Sequence, residues 1–302
     1  MRLSIITINY NNAEGLRKTL TSVAAQTYRN IEHIIIDGAS TDNSVDVIRE
    51  YESLNHSSVH PLTIKWTSEP DKGIYNAMNK GIRKASGEYI QILNSGDMLA
   101  SPDVTERMIR VLDALNGEMN RTNVLNESLS LNGGIDILYG NMLRDYGGGK
   151  IVRDACKAEG DAREVEWTMN DFIKGTVNHD PTYIHRSLYE EYGLYDETLK
   201  ISSDWKWFVH AVVFGGEKLY YVPIDVTIFD TTGVSETNLA AREKERRAEL
   251  EKMLPTAILK DYDTFHFPME QYKRLKKYHM WGLVYVIERI LFKLEKWHLL
   301  RK

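Results

Sequence analysis

The sequence predicts an α/β protein: a mainly parallel central sheet with flanking helices, followed by a C-terminal helical tail. Short apolar strands alternate with amphipathic helices over the first hundred residues. Every expected strand in that region ends in a polar group: Asn9, Asp37, Ser68-Glu69, and the run Asn94 to Asp97. Residues 273–302 set a helical apolar stripe against nine Lys or Arg and two Glu, while the whole chain of 302 residues carries a net charge of -5. An acidic body with a basic tail assigns the tail a separate task.

The elements follow in order. LSIITIN (3–9) reads as a strand, and residues 13–26 place Leu16, Leu20, Val23 and Ala24 at helical spacing. IEHIIID (31–37) is a second strand, and the helix of 41–51 takes Thr41 or Asp42 as its N-cap. LTIKWTSE (62–69) is a third strand, and the helix of 73–85 buries Ile74, Ala77, Met78 and Ile82. EYIQILN (88–94) is a fourth strand. Such alternation implies right-handed crossovers, and ligands bind beyond the carboxyl ends of the strands. Beyond Asp97 the pattern loosens. Residues 101–115 form a helix with Ser101 as N-cap and Pro102 at its first position. Residues 117–134 read as an exposed loop and 135–146 as strand and turn. Residues 179–215 mix strand, short helix, turn and a helix from about Asp204, and 218–230 is strand-like. A helical tail starts near Glu236.

Composition bounds the function. Hydrophobic residues at 42% and charged residues at 27% suit a globular protein, and the acidic balance argues against a general nucleic-acid binder. A single cysteine, Cys156, excludes an intrachain disulfide and fits a reducing compartment. The opening MRLSIITINY lacks a signal peptide's apolar run, and no stretch is long and apolar enough for a conventional transmembrane helix. A cytoplasmic location is expected, either free or peripheral on the cytoplasmic face of a membrane.

Three segments together resemble family 2 glycosyltransferases, the inverting enzymes of GT-A fold: SIITINYNNAEGLRKTLTSVAAQTYRNIEHIIIDGASTDNS, SEPDKGIYNAMNKGIRKASGEYIQILNSGD and GLYDETLKISSDWKWF. The resemblance covers residues 1–230 and implies a Rossmann-like sheet, a nucleotide-sugar donor, and a place in bacterial polysaccharide or glycan synthesis. It divides the chain into a nucleotide-sugar-binding half (1–100), an acceptor-binding and catalytic half (101–235), and a helical, basic amphipathic tail (236–302).

The resemblance also implies roles. Asp37 accepts the imide N–H of a uracil ring, and Gly38 lets the chain turn close to the base; the plainer role is a cap for the following helix. Thr7 and Asn9 line the nucleoside pocket or are structural strand-end polar groups. Asp71 lies beside nucleotide and sugar while capping the next helix, and Lys80, on one helical face with Asn76, assists the diphosphate. Where the family often reads Asp-Ser-Asp-Asp, this chain has Asn94-Ser95-Gly96-Asp97. Asn94, Ser95 and Gly96 are expected at the donor. Asp97, the last acid of the motif, is the expected ligand of a divalent metal, Mn²⁺ or Mg²⁺, which keeps waters and uses few protein ligands. Asp204 is the expected general base. His179 lies near the diphosphate or acceptor, with a structural role as the alternative. Trp205 and Trp207 either stack on sugar or fill a core.

The function expected is transfer of one sugar from a nucleotide-sugar, a UDP-sugar by the Asp37 reading, to a glycan or lipid-linked hydroxyl. The competing readings are a non-catalytic relative that binds sugar nucleotides or glycans, and a sugar-nucleotide nucleotidyltransferase, whose Gly-rich N-terminal loop is absent. A processive synthase lacks support, because Gln271-Tyr272-Lys273-Arg274-Leu275 does not complete Q-x-x-R-W. A dinucleotide oxidoreductase would need a G-x-G-x-x-G after the first strand. For residues 278–302 the sequence leaves two partners open: an anionic membrane surface, or protein, including a second copy of the chain in a homodimer.

Overall fold

Strands β1 (Leu3–Asn9) and β2 (Ile31–Asp37) are buried along their whole length, as unbroken apolar runs between helical layers require. The structure, a computed structural model, describes residues 1–123, 134–154, 160–231, 238–264 and scattered positions between 277 and 293. With β3 (Thr63–Ser68) and β4 (Tyr89–Ile92), these strands form a parallel block in the order β3-β2-β1-β4. The helices between them are α1 (Ala13–Ala24), α2 (Ser44–His56) and α3 (Ile74–Lys84). Leu16 and Leu20 of α1 pack with Val47, Ile48 and Tyr51 of α2 over Ile35. Helix α3 comes so close to β1 that a Cβ on Gly81 would stand 2.3 Å from the Ile6 side chain, so only glycine fits there.

The sheet continues through β9 (Thr182–His185), β6 (Ile137–Asp145), β10 (Leu219–Asp230) and the two-residue β5 (Met98–Leu99). Here the directions mix: β9 runs antiparallel to both β4 and β6, while β6 and β10 are parallel. β7 (Ile151–Arg153) pairs with β6, and β8 (Arg163–Val165) with β10. Helix α4 (Val104–Asn123) covers this half through Val104, Met108 and Leu112. It starts later and runs further than the sequence suggests. Ser101 and Asp103 form a turn before it, and 117–123, read as loop, remain helical because Glu, Met and Arg favour helix. The rest of that expected loop, 124–133, lies outside the described residues.

Short helices α5 (Met169–Lys174), α6 (Ser187–Glu191) and α7 (Ser203–Phe208) follow, and a π-helical segment, Val209–Phe214, continues α7. The chain divides into two compact units, Met1–Glu245 and Arg246–Lys302. Helix α8 (Leu239–Met253) crosses this boundary. In the second unit, Arg247 binds Asp263 with two hydrogen bonds of 2.8 and 2.9 Å. Among the described residues, no helix is long and apolar enough to cross a membrane.

At the amino-terminal edge of the sheet a fully buried carboxylate, Glu32, is held by Lys65, by Ser4 Oγ at 2.7 Å and by the Ser86 backbone N–H at 2.8 Å. Burial opposes its charge, but these donors outweigh burial and pull its pKa from the ordinary 4.5 down to about 2. A depressed carboxyl contributes its stability in full above the unfolded-state value and loses it as pH falls through the folded-state value. Acid unfolding should therefore show a Glu32 contribution that declines below about pH 4.5 and is gone near pH 2. In Glu32→Gln, urea midpoints measured across that range should lose this part of their pH dependence.

Candidate active site

The parallel register aligns Asn9, Asp37 and Ser68 in one row across the carboxyl ends of β1, β2 and β3. Asp37 is fully buried there. Its carboxylate accepts from Asn9 Nδ2 at 2.8 Å, Ser40 N at 3.0 Å, Ser40 Oγ at 2.6 Å and Ser68 Oγ at 2.6 Å. Burial raises its pKa, but the hydroxyl, amide and backbone donors outweigh that and lower it. The turn that returns Ser40 to Asp37 passes through Ala39 at φ 62°, a left-handed conformation that costs a non-glycine residue energy. Gly38 leaves room for the next loop: a Cβ there would lie 2.5 Å from Asp71 Oδ2. Asp71 in turn accepts from Gly73 N at 2.9 Å just before α3. Tyr10 stands exposed beside this turn.

The segment after β4 is held against α1. Thr19 Oγ1 accepts from Gly96 N at 3.0 Å and donates to Asp97 O at 2.7 Å, and Asn12 Nδ2 reaches Ser95 O at 3.2 Å. Gly96 takes φ 110°, and a Cβ on it would lie 3.1 Å from Asp230 Oδ2. An acid at position 96, which the resemblance leads one to expect, is therefore disfavoured on two counts, backbone strain and a tight approach to another acid. Asp97 itself is buried, with Oδ1 accepting the Asp230 backbone N–H at 2.9 Å. Burial, and then the Asp180 carboxylate beside it, push its carboxyl well above the ordinary range. Asp180 is also buried, and its Oδ1 takes no aligned hydrogen bond.

His179 joins this pair to the start of α7. Its Nε2 lies 3.2 Å from Asp180 Oδ1 and 3.2 Å from Asn94 Nδ2, and its Nδ1 lies 3.2 Å from Asp204 Oδ2. Burial opposes its charge, but Asp180 and Asp204 outweigh burial and raise its pKa well above the usual histidine value. An imidazolium donates from both nitrogens, which suits an acid on either side; beside it the Asn94 amide would present its Oδ1, which is buried without a partner as placed, and not its NH2. Asp204, in the first turn of α7, keeps its side chain 15% exposed. Its other oxygen, Oδ1, accepts from Tyr75 OH at 2.9 Å. Contacts thus run without a break from Asp97 through Asp180 and His179 to Asp204, and from there through Tyr75 of α3 towards the Asp71 loop.

Several sequence expectations need correction. Trp205 is fully buried and Trp207 nearly so; their indoles donate to Phe172 O and Gly193 O and pack in a core, so neither ring faces a sugar. Thr7 is fully buried, and its hydroxyl meets His33 Nε2 at 3.0 Å, which fits the structural alternative. Lys80, expected at the diphosphate, has its ammonium engaged by Glu69 at 3.1 Å and Pro70 O at 2.9 Å. The helical face of α3 is also shifted: Ile74 is exposed, while Tyr75 and Asn79 turn inward. Sequence reasoning missed Tyr75, Asp180 and the serines that hold Asp37. For Asp180 the signal was its place directly after His179; Tyr75 could have been found only by allowing a polar contact on the buried side of α3.

Comparison with known proteins identifies the chain. The glycosyl transferase family 2 domain matches residues 4–124. An uncharacterized glycosyltransferase of Mycobacterium tuberculosis is 30% identical over 264 residues, 84% of this chain and 85% of the relative. The chain belongs to glycosyltransferase family 2. A Mycobacterium bovis PGL/p-HBAD biosynthesis glycosyltransferase is 23% identical over 251 residues, 83% of this chain and 85% of its own. Among solved structures, Staphylococcus aureus TarS residues 1–349, in complex with UDP-GlcNAc, superposes with a TM-score of 0.60 at 17% identity. That match covers 79% of the transferase and 61% of TarS, so the transferase spans about three fifths of that solved chain. The mannosyltransferase PcManGT of Pyrobaculum calidifontis, in complex with GDP-Man and Mn²⁺, gives a TM-score of 0.51 at 15% identity, covering 76% of the transferase and 56% of PcManGT. The fold is GT-A.

The geometry at position 96 carries a test. Gly96→Asp, which restores the family's acid, should lower the melting temperature of the transferase by about 2–10 °C through backbone strain and repulsion from Asp230. A melting temperature equal to wild type would show that the turn relaxes freely.

Proposed function

We propose that the transferase moves one sugar from a UDP-sugar to a hydroxyl of a glycan or lipid-linked acceptor, with inversion and with Asp204 as general base. The observation that carries this reading is the Asp204 carboxylate: partly open, held at both oxygens, and joined through His179 to the acids beside the NSGD turn. Asp204 takes the acceptor O–H proton as that oxygen bonds to the anomeric carbon from the face opposite the nucleotide. The bond from the anomeric carbon to the diphosphate oxygen breaks, and UDP departs with that electron pair. On the donor side, Asp37 receives the uracil imide N–H in place of a Ser40 or Ser68 hydroxyl, with Asn9 holding the carboxylate in plane and Gly38 and Asp71 shaping the floor. Asn94 and Ser95 approach the donor beside Gly96.

The residues present fit a divalent metal. Asp97 and Asp180 are two buried carboxylates side by side, and such a pair calls for a proton or a cation between its members. Among the described residues no group of three or more His, Cys, Asp or Glu is placed to hold a metal ion, so a Mn²⁺ or Mg²⁺ here would complete its shell with waters and donor oxygens. Asp97 and Asp180 would hold it, and when bound it supplies positive charge to the departing diphosphate.

A thermal-shift panel of nucleotide sugars, with and without Mn²⁺, tests the reading. Stabilisation by UDP-sugars alone is expected, and ligand at one hundred times its Kd adds about 2.7 kcal/mol. A larger shift with GDP-sugars would remove the role given to Asp37. Asp204→Asn should keep the shift and lose UDP release.

The described positions of the tail support peripheral membrane contact: Val286, Ile287, Ile290, Leu291 and Phe292 are exposed, in the same stretch as Arg289 and Lys293. Removing residues 278–302 should abolish cosedimentation with vesicles containing anionic lipid. Equal cosedimentation of the truncated chain would favour packing on protein.

A further inference from the structure

We infer that Tyr75 is a positioning residue for the reaction: its hydroxyl, with His179 opposite, fixes the plane of the Asp204 carboxylate. The inference rests on Asp204 being the base.

A carboxylate on a single side chain turns easily about its last torsion, whose preferences are broad. A base that must meet one hydroxyl along one line loses rate when that plane wanders. Here each oxygen is claimed from a different element. Tyr75 of α3 donates to Oδ1 at 2.9 Å, and His179, just before β9, lies 3.2 Å from Oδ2. A carboxylate oxygen can accept more than one hydrogen bond, and 15% of the side chain stays exposed to receive the acceptor.

Tyr75 is itself held. It is 4% exposed, and the turn of α3 that follows it is anchored. Asn79, one turn on, bonds the backbone of Tyr195 in both directions, at 2.8 and 3.0 Å. Asn76 accepts from Lys72 N at 3.1 Å and donates to Glu197 at 2.7 Å, tying the donor loop and the segment before α7 to one side chain. Burial and the charge of Asp204 keep the Tyr75 phenol protonated, so it remains a donor. A buried tyrosine hydroxyl needs only some acceptor; this one has taken the part-exposed acid of the cleft. The other ionisable groups around Asp204 are His179, with Asp180 beyond it, and the buried Tyr189 and Tyr195.

The test uses the full chain and the UDP-sugar that gives the largest thermal shift, with UDP release measured in water without acceptor. Water takes the place of the acceptor hydroxyl: its oxygen bonds to the anomeric carbon, its proton goes to Asp204, and UDP leaves. Tyr75→Phe should lower kcat about 10–100-fold, the range for losing a hydrogen bond to a charged group, with the donor KM within about threefold of wild type. Added to Asp204→Asn, it should cause no further loss. Tyr195→Phe removes a buried hydroxyl from the same aromatic group, where it contacts Tyr189 OH at 3.1 Å, and should leave kcat within about twofold. Wild-type turnover by Tyr75→Phe, with Asp204→Asn inactive, overturns the inference and leaves the base in place. An equal fall in Tyr195→Phe also overturns it, since general loosening would then explain both. Full activity in Asp204→Asn removes the base assignment and the inference with it.

Discussion

His179 stands between acids, and the arrangement of the cleft depends on that contact. One ring nitrogen faces Asp180, which lies against Asp97; the other faces Asp204. Buried carboxylates that approach one another repel unless a cation or a proton intervenes. The imidazole supplies that intervening charge between segments more than eighty residues apart in the chain: the turn after β4 and the start of α7.

The scaffold beneath this contact is the parallel block. Because β1, β2 and β4 run in the same direction in register, their polar carboxyl ends arrive at one edge together. There the backbone must turn tightly, and the chain meets the demand in two ways. Glycine takes the strained position at 96, where a side chain would crowd Asp230. Alanine takes a left-handed position at 39, kept there because Ser40 donates twice to Asp37. Strain at the edge is offset by the hydrogen bonds it creates.

Much of this was legible in the sequence. The first four strands and three helices fall within a few residues of where periodicity places them, because each is a short apolar or amphipathic run bounded by turn residues. Asp97, His179 and Asp204 were recognisable as acid or imidazole at strand ends or a helix start. The ambiguities have a common cause. Trp205, Trp207, Thr7 and Lys80 have side chains able either to serve a ligand or to satisfy a neighbour, and only the neighbour's position decides. Tyr75 was hidden for the converse reason: an aromatic residue one place from the expected apolar stripe looks like core until the acid opposite it is seen.

By itself the sequence determined the alternation of strand and helix, the polar strand ends, and membership of a family that uses them. These are local properties, set by side-chain spacing and turn chemistry within windows of about 11–18 residues. The tertiary structure alone decided the mixed directions beyond β4, the pairing of Asp97 with Asp180, and the two-sided hold on Asp204. Those depend on which groups burial forces together. A buried polar group must find a partner wherever the fold places one, and that partner is not written beside it in the chain.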